Sequence, residues 1–482
     1  MRLPLFLKSI RPSASRLFSG LFHEVDLSSL VFFRIVYGAC VLWFMCYYYE
    51  PYIVNYISAP GFHFTHFGFD WIRPWPGHGV YYQIVVLRVL AFFFTIGFCY
   101  RLSAVLFFGG YAYIFLLETT VNRNHPYLIC LISFLMIFMP AHRGFSVDAL
   151  LRSSIRGTTV PAWNVYILRL QFFVVYFYAG VAKMSWDWLY GEPIRGRLQH
   201  YAIGHYFTTH EWALFAMCLV GLLFDLFVGF GLLFRRSRLM AWVISVLFHV
   251  INSLIWDIDM FPHLMIGCTL IFFDPNWPKQ VITHVTRQRF KFTPIHPAIG
   301  APLTLWREFA CGLLIVYAAI QVIVPLRHFI YPGNVAWTTE GHRFAWRMMT
   351  IRTRTIPKFL AVDPKTGERW EINPQEFGVP YYGYNNPWSL PDAVLLFSRH
   401  AARELERQGR KGIQIHAEIY ASLNGRRPQL LINPKIDLAA QPRTLWPATW
   451  INPLTEAMPR TADERLAAVT EWERLGGDSR QF

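Results

Sequence analysis

Charge is what this chain has least of. Asp, Glu, Lys and Arg make up 16% of its 482 residues, against 54% hydrophobic and 17% aromatic. So apolar a composition excludes an ordinary soluble protein of this length. The charge that is present is unbalanced, +15 net, yet no basic stripe interleaved with aromatics occurs, so no nucleic-acid partner is expected. Cysteine is sparse as well. The seven thiols lie in or beside apolar stretches, none falls in residues 326–482, and no CxxC is present, so neither a disulfide framework nor a thiol redox centre is indicated. GxSxG, a phosphate-cradling glycine loop and an acyltransferase HxxxxD are also missing, which removes the common hydrolase and nucleotide chemistries. No HxxxH or HxxE pair falls on one helix face. The "HFTH" of His63 to His66 sits in a Gly/Pro-rich loop where a capping role is the default, so no metal is expected.

What the chain has in excess is long apolar runs, at about 30–48, 81–98, 104–117, 127–140, 165–182, 212–234, 239–256, 260–273 and 304–324. They imply a polytopic α-helical membrane protein of about nine spans. The fourth and eighth runs are short enough to be tilted, re-entrant or buried among the others. No cleavable signal peptide is expected, because the first run is full length and lacks a small-residue cleavage site. Basic residues set the orientation. With the N-terminus inside, inner segments hold Arg2, Lys8, Arg11, Arg16, Arg101, Arg143, Arg152, Arg156, Arg235, Arg236, Arg238, Lys279, Arg287, Arg289 and Lys291. Outer segments hold Arg73, Arg123, Lys183, Arg195 and Arg197. This asymmetry predicts a cytoplasmic N-terminus, with its basic arm touching anionic lipid, and a periplasmic or lumenal C-terminal part.

After the last run the texture changes, giving a membrane domain over residues 1–325 and an outer α+β domain over 326–482. "FLAVDPKTGERWEI" and "IQIHAEIYASLNGRRPQLLI" alternate apolar and polar residues around a Gly-containing turn, the pattern of two antiparallel hairpins. "DAVLLFSRHAARELERQG" has helical spacing, and "TADERLAAVTEWERLGG" reads as a capped surface helix. A basic linker is expected from about 274 to 302.

Charged or His side chains in or at the ends of spans are the candidates for chemistry, because each is costly in hydrocarbon unless partnered. Arg34, Arg88 and Arg169 read as structural. His249 with Asn252, three residues on along the same helix, reads either as a satisfied core pair or as a holder of a ligand's polar edge. His125 in "NRNHPYLI" and Lys183 in "QFFVVYFYAGVAKMSWDW" fall, by the topology above, at the same outer level. A desolvated lysine loses affinity for its proton and can act as a base near neutral pH. Composition leaves open the alternative that Lys183 snorkels to the interface beside Trp186 and Trp188. Lys183 is expected to have no obligatory partner.

"WNVYILRLQFFVVYFYAGVAKMSWDW", "CYRLSAVLFFGGYAYIFLLETTVNRNHPYLI", "GFSVDALL", "LFHVINSLIWDIDMFPHLMI" and "DPNWP" resemble, in order, successive blocks of the vitamin K-dependent γ-glutamyl carboxylase family in prokaryotic form, within the broader group of HTTM membrane proteins. The resemblance runs from "LVFFRIVYG" to "INPKIDLAAQPRTLWPATWINPL". It implies Lys183 as the catalytic lysine and Asn124 with His125 as the family's "NNH" motif. It also implies substrate and quinol contacts at Asn124, His249, Asn252, Phe261, Trp346, Met348 and Met349. In the family chemistry a lysine ionises reduced vitamin K, a menaquinol- or phylloquinol-type hydroquinone. The quinolate reacts with O2, the strongly basic product takes a γ-proton from glutamate, and the carbanion captures CO2. The other product is the quinone epoxide, and no metal is used. His125 is implied to stabilise charge at the glutamate. The implied partners are the quinol, a glutamate-containing protein or peptide, and membrane lipid.

One block departs from the family. "GHRFAWRMMTIRTR" resembles its glutamate segment, but His342 stands where a tyrosine is expected and Ile351 where a histidine is expected. Three readings stay open: a quinol-dependent oxygenase/carboxylase, a homologue that carries out epoxidation alone, and a noncatalytic quinone- or lipid-binding membrane protein or transporter.

Overall fold

The computed structural model describes residues 20–49, 57–58, 61–120, 123–199, 201–256, 258–286, 305–380 and 386–478. The apolar runs become helices α1 (Ser28–Tyr47), α2 (Gly79–Ile96), α3 (Tyr100–Leu117), α4 (Asn124–Phe138), α5 (Trp163–Ala182), α6 (Glu211–Leu233), α7 (Arg238–Ile255), α8 (Phe261–Cys268) and α9 (Leu305–Leu326). All but α4 and α8 are long and apolar enough to cross a membrane, seven in number among the described residues. The 15 residues of α4 reach about 22 Å, less than the ~30 Å of hydrocarbon in a bilayer. The short fourth and eighth runs are thus short helices. A two-strand ribbon, β1 (Glu24–Asp26) with β2 (Thr159–Pro161), ties the entrances of α1 and α5.

The intramembrane arginines are structural, as expected. Arg34 donates to the carbonyls of Ala141 (2.8 Å) and Phe145 (2.6 Å), and Arg169 to those of Ile271 and Phe273 (both 2.9 Å). Arg88 donates to Met45 O at 3.0 Å, in the last turn of α1. A guanidinium on the unpaired carbonyls of a helix end meets the negative end of the helix dipole, which offsets part of its desolvation.

The C-terminal part is built on a four-stranded antiparallel sheet of order β4-β3-β5-β6, from β3 (Thr353–Val362), β4 (Arg369–Ile372), β5 (Gln414–Leu423) and β6 (Gln429–Leu430). Both expected hairpins form, Val362 facing Arg369 in one and Tyr420 facing Leu430 in the other. Helix α10 (Pro391–Arg407) buries Val394, Phe397 and Ala401 against the alternating inward residues of β5. Helix α11 (Ala462–Arg474) opens on a capping box between Thr461 and Glu464. The chain is thus a polytopic α-helical membrane protein carrying antiparallel hairpins in its C-terminal part. The expected linker at 274–302 is corrected in its first half, where Trp277–Thr286 form a helix; residues 287–304 lie outside the described residues, as does the basic N-terminal arm.

Ion pairs lock the two parts together. Arg426 grips Asp187 with both nitrogens at 2.6 and 2.8 Å, and Arg465 reaches Glu192 at 3.0 Å. The loop expected to cap a helix at "HFTH" instead fills this junction. His66 is buried between the rings of Phe115 (5.1 Å) and Phe344 (5.8 Å), and His63 lies 3.7 Å from the Glu118 carboxylate. Burial, with Arg343 and Arg443 nearby, pushes His66 down to about 3. Below the ordinary value of 6.5, the unfolded chain binds a proton that the folded chain refuses. Stability is therefore lost as pH falls from there toward 3, by about 1.4 kcal/mol per unit. His66→Phe keeps the stack and removes the proton. Between about pH 7 and pH 5 the variant should lose about 2 kcal/mol less stability than the parent, read as a smaller drop in Tm in detergent; equal drops would refute the assignment.

Candidate active site

Tyr176 in α5 and Lys183, at its C-terminal cap, are seven residues apart, two helical turns, and so share a face. Between them Gly180 lets α6 come close: a Cβ there would lie 2.6 Å from the Leu226 backbone nitrogen. Small residues bring transmembrane helices into such contact, and here the contact sets Asp225 against Lys183. Lys183 Nζ forms a salt bridge with Asp225 Oδ2 and lies 4.9 Å from the centre of the Trp188 ring. Lysine and aspartate are 6% and 4% exposed. The amine is turned inward, against the snorkelling alternative. One expectation is corrected: Lys183 has a partner, because a buried ammonium in so apolar a layer needs a counter-charge.

Tyr176 Oη lies 3.0 Å from Ser245 Oγ and 2.9 Å from His249 Nε2. Phe224 and Phe248 pack around the imidazole, and Lys183 is its electrostatic neighbour. Among the described residues, His249 Nδ1 is buried with no hydrogen-bond partner. A buried polar atom left open in this way is costly unless a ligand or water completes it.

His125, in the first turn of α4, is 3.0 Å from Asp259 Oδ2 through Nε2, and Arg123 reaches the same carboxylate at 3.3 Å. Asp259 has a left-handed backbone (φ +52°), which turns the chain sharply ahead of α8. Burial alone would raise its carboxyl, but the bond and charge of His125, with Arg123, hold it below the usual carboxylate range. Phe261, opening α8, links the two histidines, its ring centre 6.4 Å from that of His125 and 6.3 Å from that of His249.

The 344–349 segment packs on the same bundle. Trp346 is fully buried, 5.0 Å from Tyr127 between ring centres; Met348 packs on the main bundle core and Met349 on the cluster containing Trp188. Phe344, Trp346 and Met349 all have left-handed backbones (φ +62°, +55° and +60°). Non-glycine residues pay about 1–3 kcal/mol each for such conformations, and the strain clusters where tight shape matters.

The structure therefore brings Lys183, His249, Phe261 and His125 into one chain of neighbours, with Trp346 and Met348 in the same bundle core and Met349 on the cluster containing Trp188. Asn124 and Asn252 flank the two histidines in sequence and are only partly buried. Asp225, Asp259 and Tyr176 were missed by sequence reasoning. Asp225 had a signal, being the one acid inside the apolar run 212–234.

The HTTM domain model matches residues 22–277, which defines the class, an HTTM membrane protein. Residues 306–457 match the vitamin K-dependent gamma-carboxylase lumenal domain. The chain belongs to the vitamin K-dependent gamma-carboxylase family. No solved structure matches it.

Proposed function

We propose that the chain is a membrane quinol-dependent oxygenase/carboxylase, coupling epoxidation of reduced vitamin K by O2 to γ-carboxylation of glutamate in a protein or peptide. The observation that carries this reading is the buried Lys183–Asp225 pair, set in an aromatic layer beside the open Nδ1 of His249. These residues fit an aromatic diol: rings to sandwich it, an imidazole nitrogen for one oxygen, a basic pair for the other. Bound there, reduced vitamin K would react with O2 to supply the base strength that removal of a glutamate γ-proton requires.

The protein's part is to hold and move protons. The Lys183–Asp225 pair is neutral overall and holds one mobile proton fewer than it can carry. With the shared proton on Asp225, Nζ is a free amine; taking a hydroxyl proton there leaves an ammonium beside a carboxylic acid, a cationic pair that balances the anion formed beside it in a layer where an unbalanced charge is costly. Gly180 and the Tyr176–Ser245–His249 bonds position these groups, and the strained 344–349 segment shuts out water. His125, fixed by Asp259, serves the glutamate side. The charge asymmetry supports a cytoplasmic N-terminus and an outer domain beginning near residue 326.

A second reading, epoxidation without carboxylation, is favoured by one block. Ile351 packs on the core of the outer sheet. Burial, with Arg347, Arg343 and Arg327, pushes His342 down to about 3, so it stays neutral. Purified protein given reduced vitamin K, O2, labelled bicarbonate and a glutamate peptide should yield both epoxide and labelled peptide. Epoxide alone would establish the second reading, and neither product would overturn both.

A further inference from the structure

At the C-terminal end of α5, lined by neither Lys183 nor Asp225, lies a cavity of about 370 Å³, within the usual range of about 300–1,000 Å³ for small-ligand sites. Its walls include Ala182, Met184 and Ser185, the neighbours of Lys183, then His328 and Tyr331 from the turn after α9, and Arg347. Lys183 itself points away, to Asp225. In the strained segment Trp346 and Met348 pack into the bundle, and Arg347 between them lines the cavity.

Arg347 is the unusual member. Its Nε is buried and makes no hydrogen bond, and no carboxylate pairs with it among the described residues. Nearby arginines are satisfied: Arg343 donates to Thr119 O at 2.8 Å, and Arg327 donates to Arg343 O and lies 5.6 Å from the Phe344 ring centre. A cation drawn out of water with no counter-ion is costly, and an anion in the cavity removes that cost. The rim of the cavity carries exposed apolar residues, Met184 at 60% and Phe329 at 69%, and Ile330 beside them, 81% exposed, ends the span that runs up to it. A charged recess with an apolar rim at the end of a span matches an amphiphile with an anionic head.

We infer that this cavity takes the anionic headgroup of a membrane phospholipid, its phosphate on Arg347 and its acyl chains along the exposed end of α9. The acceptor glutamate is the less favoured occupant: held here, its carboxylate would sit in a cavity that neither Lys183 nor His125 lines. The lipid also abuts the strained segment, so it would brace Trp346 and Met348 from behind.

The test uses the full chain, delipidated in neutral detergent and titrated with phosphatidylglycerol or phosphatidylcholine, read by native mass spectrometry and by Tm. Phosphatidylglycerol should bind selectively and raise Tm. Arg347→Gln should weaken that binding about tenfold or more, the usual worth of a charge-assisted hydrogen bond, while Arg347→Lys keeps the selectivity. Equal binding of the two lipids by the parent protein would overturn the inference without recourse to any variant. So would unchanged selectivity in Arg347→Gln, inorganic phosphate raising Tm as well as the lipid does, or displacement of the lipid by a glutamate peptide.

Discussion

Lys183→Arg should fold like the parent and make no epoxide. The guanidinium keeps its charge opposite Asp225, so the buried pair survives, but it holds its proton at any working pH and cannot act as a base. Lys183→Ala should be inactive for the same chemical reason and, unlike the arginine variant, unstable. Removing the amine leaves the Asp225 carboxylate buried without a counter-charge, a loss of about 3–5 kcal/mol. Adding Asp225→Ala to the alanine variant should recover much of that stability without recovering activity. Added small amines should partly rescue Lys183→Ala, more so as pH approaches the amine's own pKa. The measurements are epoxide formation and Tm in detergent. Full epoxidation by Lys183→Arg would show that position 183 needs only positive charge, and the base assignment would fall.

The second large effect belongs to the opposite end of the contact chain. His125→Ala should lose labelled peptide by about 10²–10³-fold, the worth of one well-placed charge-stabilising group, while epoxide formation persists. His125 meets Asp259 and Phe261 rather than Lys183, which is why the two products should separate. Asp259→Asn should move carboxylation in the same direction by a smaller amount, because it removes the charge that orients the imidazole and leaves the ring in place. A parallel loss of both products in folded His125→Ala would place the histidine on the quinol side instead.

Much of this was legible because it is local. An apolar run long enough to span marks its own helix, so the positions of α1 to α9 could be read directly, including the two short ones. The hairpins could be read from period-two alternation around a turn, and α11 from Thr461 and Glu464 three residues apart. Lys183 and His125 stood out as polar groups at the ends of apolar runs, and collinear resemblance drew attention to them. The loop at His63 to His66 was misread because a histidine beside Gly and Pro looks like a cap, and nothing in the sequence reveals that Phe115 and Phe344 will close on it.

By itself, then, the sequence determined the membrane class, the span positions, the C-terminal α+β texture and which polar residues would be exceptional, since all of these follow from composition and short-range period. The tertiary structure alone decided what those residues meet. Asp225 reaches Lys183 across 42 residues through a helix contact that depends on Gly180. Asp259 finds His125 through a left-handed turn, and Arg347 faces a cavity because Trp346 and Met348 claim the bundle. The physical reason is the same in each case. The cost of a buried charge is fixed by its residue type, but the partner that offsets it is fixed by which helices pack together, and packing depends on shape at sites far apart in the chain.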